Sequence, residues 1–226
     1  MAEPHGFIEP EGRLGELASG YLNRLLRGDR NGAASLVLEA VERDGVPVRD
    51  IYLGVFQPAQ YEVGRLWQQN RISVAHEHFC TAAAQQIMSR LYPHIFSMER
   101  TGRTMVAACV GGELHELGMR MVADFFEMEG WDTYFLGAST PDEDVARAVA
   151  EREADLLGVS VTMSYHLHLA RRLVSVVRDK PECGGVKVMV GGYPFLLDDE
   201  LWKWTGADGW APDAAKAVHE AERLLT

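Results

Sequence analysis

Met105-Val106-Ala107-Ala108-Cys109-Val110-Gly111-Gly112-Glu113-Leu114-His115-Glu116-Leu117-Gly118 carries the clearest change of rhythm in the chain. Its first six residues are apolar without alternation, as in a strand buried on both faces. Gly111 and Gly112 then free the backbone for a tight loop, and a helical stretch from His115 to Glu129 follows. Open α/β sheets bind ligands at such strand-to-helix loops, beyond the carboxyl ends of the strands. His115 stands on that edge, where an imidazole nitrogen can meet a metal or a substrate. Glu113, two residues earlier, can hold the other ring nitrogen. The loop has neither the Walker lysine spacing nor G-x-G-x-x-G, which sets it apart from phosphate loops.

Downstream the alternation repeats. Strands are expected at 131–136, 155–162, 187–190 and 207–210, with helices at 142–152, 166–178, 197–204 and from Asp213 onward. Strand and helix alternating five times predict an α/β, Rossmann-like, five-stranded parallel sheet covered on both faces, with the flavodoxin-like order 2-1-3-4-5. Its ligand-facing loops are then 110–115, 137–141, 161–166 and 191–196.

Upstream the period is helical. Leu14, Leu17, Tyr21, Leu22 and Leu25 share one face, and a second run carries Ala34 to Val41 and stops at Asp44-Gly45. A third runs from Val48 to Trp67, with Pro58 forcing a kink or a division into two pieces. Ser73 caps a fourth that reaches about Ile95. The expected organisation is a flexible N-terminus (1–11), a four-helix-bundle cap domain (12–98) and the sheet domain (103–226).

The 226 residues carry 33 acidic and 22 basic side chains, a formal net charge of −11. That balance argues against direct nucleic-acid binding, which needs clustered Lys and Arg. No apolar run approaches a membrane span, and no signal peptide precedes residue 12. Cys80, Cys109 and Cys183, an odd and widely spaced set, point to a reducing, cytoplasmic setting without disulfides or a cysteine zinc site.

Glu113-x-His115-x-x-Gly118 resembles the D-x-H-x-x-G motif of cobalamin-binding domains, with Glu for Asp. Ser160-Val161-Thr162 stands where that family has S-x-L, with Thr for Leu, and Gly191-Gly192 matches its third element after the fourth strand. The resemblance implies that His115 ligates cobalt from below, displacing the nucleotide base. The nucleotide tail then descends past Ser160 and over Gly191 and Gly192, with Tyr193 packing that cleft. The longer carboxylate of Glu113 is expected to tune the histidine differently from the family's Asp.

In the helical half, Trp67, then nine residues, then Glu77-His78 resembles the cap of light-sensing, adenosylcobalamin-dependent regulators, and Val74 matches a residue lining the upper face there. The resemblance implies a bulky Trp67 shielding the Co–C bond, with Glu77 and His78 as polar contacts to a ribose. Gln68 replaces the histidine that captures cobalt after illumination in those sensors, and their DNA-binding module is not expected here. The combination looks most like the photocobilin group, which implies a bilin (biliverdin) beside adenosylcobalamin, lined by Tyr165, His166, His168, Tyr193 and Phe195. Cys80 reads as a buried structural thiol before a bilin attachment point.

The leading expectation is therefore a cobalamin photoreceptor, not an enzyme, that relays a signal to an unknown protein effector and forms a homo-oligomer, a dimer. The alternative is a corrinoid protein carrying methyl groups between methyltransferases. A heme sensor on the same scaffold is a third reading.

Overall fold

The spacing of Ala18, Tyr21, Leu22 and Leu25 buries one face of α1 (Gly12–Leu26). The computed structural model describes residues 6–96 and 99–226, and the chain divides into two units, Met1–Ile95 and Phe96–Thr226. Residues 1–5 of the expected flexible N-terminus and 97–98 at the end of the expected bundle lie outside the described residues. Ahead of α1, Ile8 is buried and the Phe7 ring lies 5.6 Å from that of Tyr61.

In the N-terminal unit, the Asp29 carboxylate accepts from Gly32 N at 2.8 Å and starts α2 (Arg30–Glu42). The third helical run is continuous but not uniform. It begins as α3 (Val48–Ile51), widens into a π-helical turn (Tyr52–Phe56) and continues as α4 (Gln57–Gln68). Pro58 explains this: it has no N–H for the carbonyl one turn back, and the ladder widens just ahead of it without breaking. The Ser73 hydroxyl accepts from His76 N at 3.2 Å and caps α5 (Val74–Leu91). α1 packs on α2, α4 and α5, and Tyr21, Tyr52, Phe56, Ile87 and Met88 are fully buried.

The C-terminal unit is a five-stranded parallel sheet. Its elements are β1 (Thr104–Cys109), α6 (Leu117–Met128), β2 (Asp132–Gly137), α7 (Asp142–Glu151), β3 (Leu156–Ser160) and α8 (Leu167–Arg178). They continue as β4 (Lys187–Gly191), α9 (Tyr193–Leu197), α10 (Leu201–Thr205), β5 (Gly209–Trp210) and α11 (Ala214–Leu225). The strand order is β2-β1-β3-β4-β5, the doubly wound arrangement expected from the alternation. Every residue of β3 is buried, as a central parallel strand requires. Gly158 leaves room for the Met105 and Met119 side chains, and Met121 is buried against the same core.

One expected helix divides. The stretch read as 197–204 is α9 and α10, separated where Asp198 is extended and its carboxylate accepts from Glu200 N at 3.0 Å. Trp202 and Trp210 pack against the sheet core, while Trp204 is exposed beneath the Arg171 guanidinium. No helix among the described residues is long and apolar enough to cross a membrane.

Candidate functional site

Strand register assembles the site. Cys109 pairs with Ser160, and Ser160 with Gly191, so the carboxyl ends of β1, β3 and β4 form one row. The loops leaving that row carry the remaining candidate residues of the sheet unit.

Glu113 is the hub. Its side chain is only 1% exposed, and five N–H groups converge on it. Oε1 accepts from the backbone N of His115 at 3.2 Å and from the His115 ring nitrogen Nδ1. Oε2 accepts from Thr162 N and Met163 N, both at 3.0 Å, and from His166 Nδ1 at 3.1 Å. Burial alone would raise this carboxyl's pKa. The hydrogen bonds from His115, Met163, His166 and Thr162 overrule it and hold the group well below the usual carboxylate range. Glu113 is therefore an anion at neutral pH, and an ionised carboxylate only accepts, so Nδ1 of His115 is the donor and Nε2 is the ring nitrogen that Glu113 leaves unengaged.

These bonds also explain why α6 starts later than its sequence suggests. His115 lies two residues ahead of the helix because Glu113 holds both its backbone and its ring in the loop. The His115 side chain is 46% exposed, so the imidazole stands at the surface of the unit on a buried support.

Two residues that spacing does not single out complete the loop. The Glu116 carboxylate accepts from Ala138 N at 2.9 Å, and Ser139 Oγ accepts from Gly112 N at 3.0 Å. Ser139 holds a left-handed φ of 51°, and its own N–H donates to Glu113 O at 3.0 Å. Together they tie the loop after β1 to the loop after β2.

The other sheet residues lie beside this hub. Ser160 is buried, and the thiol of its strand neighbour Cys109 donates to the His115 carbonyl oxygen at 3.7 Å. Burial, reinforced by Glu113 and Glu116, pushes that thiol up to about 12, so Cys109 is not a nucleophile at neutral pH. Thr162 contributes its N–H to Glu113, and Tyr193 is exposed at the start of α9.

The glycines divide into two kinds. Gly192 has φ 115°, and a Cβ there would sit 1.9 Å from the carbonyl oxygen of Val161, so the fold itself demands it. Gly192→Ala should lower stability by about 3 kcal/mol, through overpacking and backbone strain, in a denaturant titration. A loss below about 1 kcal/mol would mean that Val161 yields. Gly118 and Gly191 differ: a Cβ at Gly118 meets nothing within 4 Å, and one at Gly191 only the Ala211 carbonyl at 3.6 Å. A glycine inside α6 costs about 1 kcal/mol against alanine, and internal packing gives no reason for it. Open glycines flanking an exposed, carboxylate-held imidazole suit a large ligand that approaches the backbone.

In the helical unit, Trp67, Val74, Glu77 and His78 gather where α4 hands over to α5. Trp67 is half-buried near the end of α4, and Val74 is exposed at the start of α5. Glu77 is engaged locally, with Oε2 2.6 Å from His78 Nδ1 and Oε1 accepting from Thr81 Oγ1 at 2.8 Å. Cys80 is fully buried, and burial followed by the Glu77 charge pushes its thiol up to about 12.

A doubly wound sheet with a carboxylate-held histidine after its first strand and a glycine pair after its fourth defines a corrinoid-binding module. A family model described as B12 binding domain matches residues 103–219, and a second with the same description matches 17–92. The chain belongs to the B12-binding domain family. It is 28% identical over 193 residues to dimethylamine corrinoid protein 3 of Methanosarcina acetivorans, covering 84% of this chain and 89% of that one. It is 26% identical over 207 residues to a corrinoid protein of Desulfitobacterium hafniense, covering 89% and 94% respectively. The monomethylamine corrinoid protein of Methanosarcina barkeri superposes with a TM-score of 0.81 at 23% identity, over 94% of this chain and 99% of that one, a likeness of fold.

These relatives correct the leading functional expectation. The two-part layout that suggested a light sensor of the photocobilin group is the layout of corrinoid proteins, and the reading as a photoreceptor in signal transduction is withdrawn. The Trp67-to-His78 pattern does not discriminate, because Glu77 is committed to its own helix through His78 and Thr81. The bilin is withdrawn with it. Of the side chains expected to line it, Phe195 is wholly inside the sheet core and His166 is bound to Glu113. The expectation of a binding protein rather than an enzyme agrees with relatives named for the corrinoid they hold.

Proposed function

We propose that this chain is a corrinoid carrier that holds cobalamin and exchanges a methyl group with methyltransferase partners. The observation that carries the reading is the exposed His115, aimed by a buried anionic Glu113 at the ligand-binding edge of the sheet. His115 would hold the cobalt through Nε2, with Glu113 engaging Nδ1 and setting the direction of the ring. Ser160, Thr162, Gly191, Gly192 and Tyr193 line the path of the nucleotide tail, and Gly118 leaves space beside the ligand histidine. When bound, the cobalt supplies a site that accepts and releases a methyl group.

Trp67, Val74, Glu77 and His78 are kept as the helical unit's candidate contacts to the cofactor, with Trp67 half-buried and Val74 exposed. The upper group is methyl in this reading, and adenosyl has no part in it. The resemblance to the dimethylamine corrinoid protein and the −11 charge support a partner that is itself a protein, a methyltransferase acting on a small methylated amine, rather than a signalling effector.

The test is a dark methyl-transfer assay. Cobalamin-loaded protein carrying a labelled methyl group should pass it to a thiol acceptor when an extract of the source organism supplies methyltransferase, and not without the extract. A label that never leaves, or a protein that takes up no cobalamin, overturns the proposal.

A further inference from the structure

We infer that His166 is a positioning residue for the lower cobalt ligand, fixing His115 through the carboxylate that both imidazoles share. The inference rests on the reading of His115 as that ligand.

A carboxylate rotates about its terminal bond, and the direction it gives His115 depends on what pins its other oxygen. Here Oε2 takes three donors, Thr162 N, Met163 N and His166 Nδ1. The two backbone groups are neighbours in one loop and approach from a single side. His166 adds a donor from a side chain, set on the 3-10 turn Ser164–His166, with its own N–H bonded to Met163 O at 2.8 Å. Its side chain is 13% exposed, and the Tyr165 ring lies edge-on with centroids 4.4 Å apart. With Oε2 pinned, Oε1 is delivered to His115 in one orientation.

A second feature lies beside this arrangement. Gly112 has φ 79°, and a Cβ there would lie 3.6 Å from His166 Nε2. That is an ordinary van der Waals distance, so the positive φ is what favours glycine at 112 beside the ring. Among the described residues, His115 and His166 are the side chains hydrogen-bonded to Glu113.

The decisive comparison is His166→Asn, which keeps an N–H where Nδ1 stands, against His166→Phe, which keeps the ring volume and removes the donor. Two readouts apply. In the apoprotein, ring-nitrogen NMR shifts report whether His115 is held with its proton on Nδ1. In the protein loaded with Co(II) cobalamin and 15N-histidine, the EPR nitrogen splitting reports histidine coordination. The wild type and His166→Asn should share one tautomer and full splitting. His166→Phe should show mixed tautomers and about 10-fold weaker cobalamin binding, the low end of what losing an outer partner of a metal ligand costs. Equal behaviour of the Asn and Phe variants in both readouts overturns the role of His166. A wild type without histidine splitting instead overturns the ligand assignment on which it rests.

Discussion

Replacing His115 with alanine should leave a folded protein that no longer coordinates cobalt through histidine. The side chain is nearly half exposed and stands at the surface of the unit, bonded to Glu113, so truncation opens no cavity in the core. The backbone N–H of residue 115 still donates to Glu113, and the other oxygen keeps its three donors. Cobalamin affinity should fall by more than the about 10–100-fold that an outer partner of a metal ligand is worth, because the ligand itself is gone. Circular dichroism of the apoprotein should be unchanged, while the EPR nitrogen splitting from 15N-histidine should disappear. Persistent splitting would assign the cobalt to another histidine.

Glu113→Gln should be the more damaging change to the fold. The amide keeps the shape but turns an NH2 either toward His115 or toward Thr162, Met163 and His166, where only donors wait. Each buried donor left unsatisfied costs about 1–3 kcal/mol, and breaking a buried charged network about 3–5 kcal/mol. The expected outcome is a loss of about 3 kcal/mol or more, lowering Tm by roughly 10 °C, with cobalamin binding lost alongside. The pH dependence follows from the sign of the shift. The folded protein holds this carboxyl below its ordinary value of 4.5, so its contribution is complete at neutral pH and is given up as pH falls below that value. Stability of the Gln variant should therefore fall less steeply than wild type on acidification below about pH 5, measured by denaturant titration. Parallel curves would show that Glu113 is not the charged hub.

Much of the fold is legible in local patterns. The apolar run Met105–Val110 and its successors mark parallel strands because a strand covered on both faces has no reason to alternate. Gly111-Gly112 and Gly191-Gly192 mark the loops because the backbone there turns or closely approaches its neighbour. Pro58 is visible as a disturbance but not as a π turn, since the remedy depends on how the neighbouring helices hold the segment in place. His115 reads as a helix start because the side chain that keeps it out of the helix is named by the sequence, while its bonds are not.

The light-sensor reading failed for a related reason. A spacing from Trp67 to His78 reports which residues flank the junction of α4 and α5. It carries no information about the chemistry at the cofactor, and a dimethylamine corrinoid protein aligns over 84% of the chain. Glu116 and Ser139 gave no sequence signal, and His166 was read toward a bilin, because their bonds run to a loop from a different strand.

Local composition, by itself, determined a helical half, a parallel sheet in the order β2-β1-β3-β4-β5, and a histidine on the edge where such sheets bind ligands. Those features depend on periodicity and turn chemistry, which neighbours in the chain decide among themselves. Only the tertiary structure decided that Glu113 joins His115 to His166, Thr162 and Met163, across separations of up to 53 residues. Hydrogen bonds of that kind exist only after register has set Cys109 beside Ser160, because a slip of one residue would carry the donors away from the carboxylate.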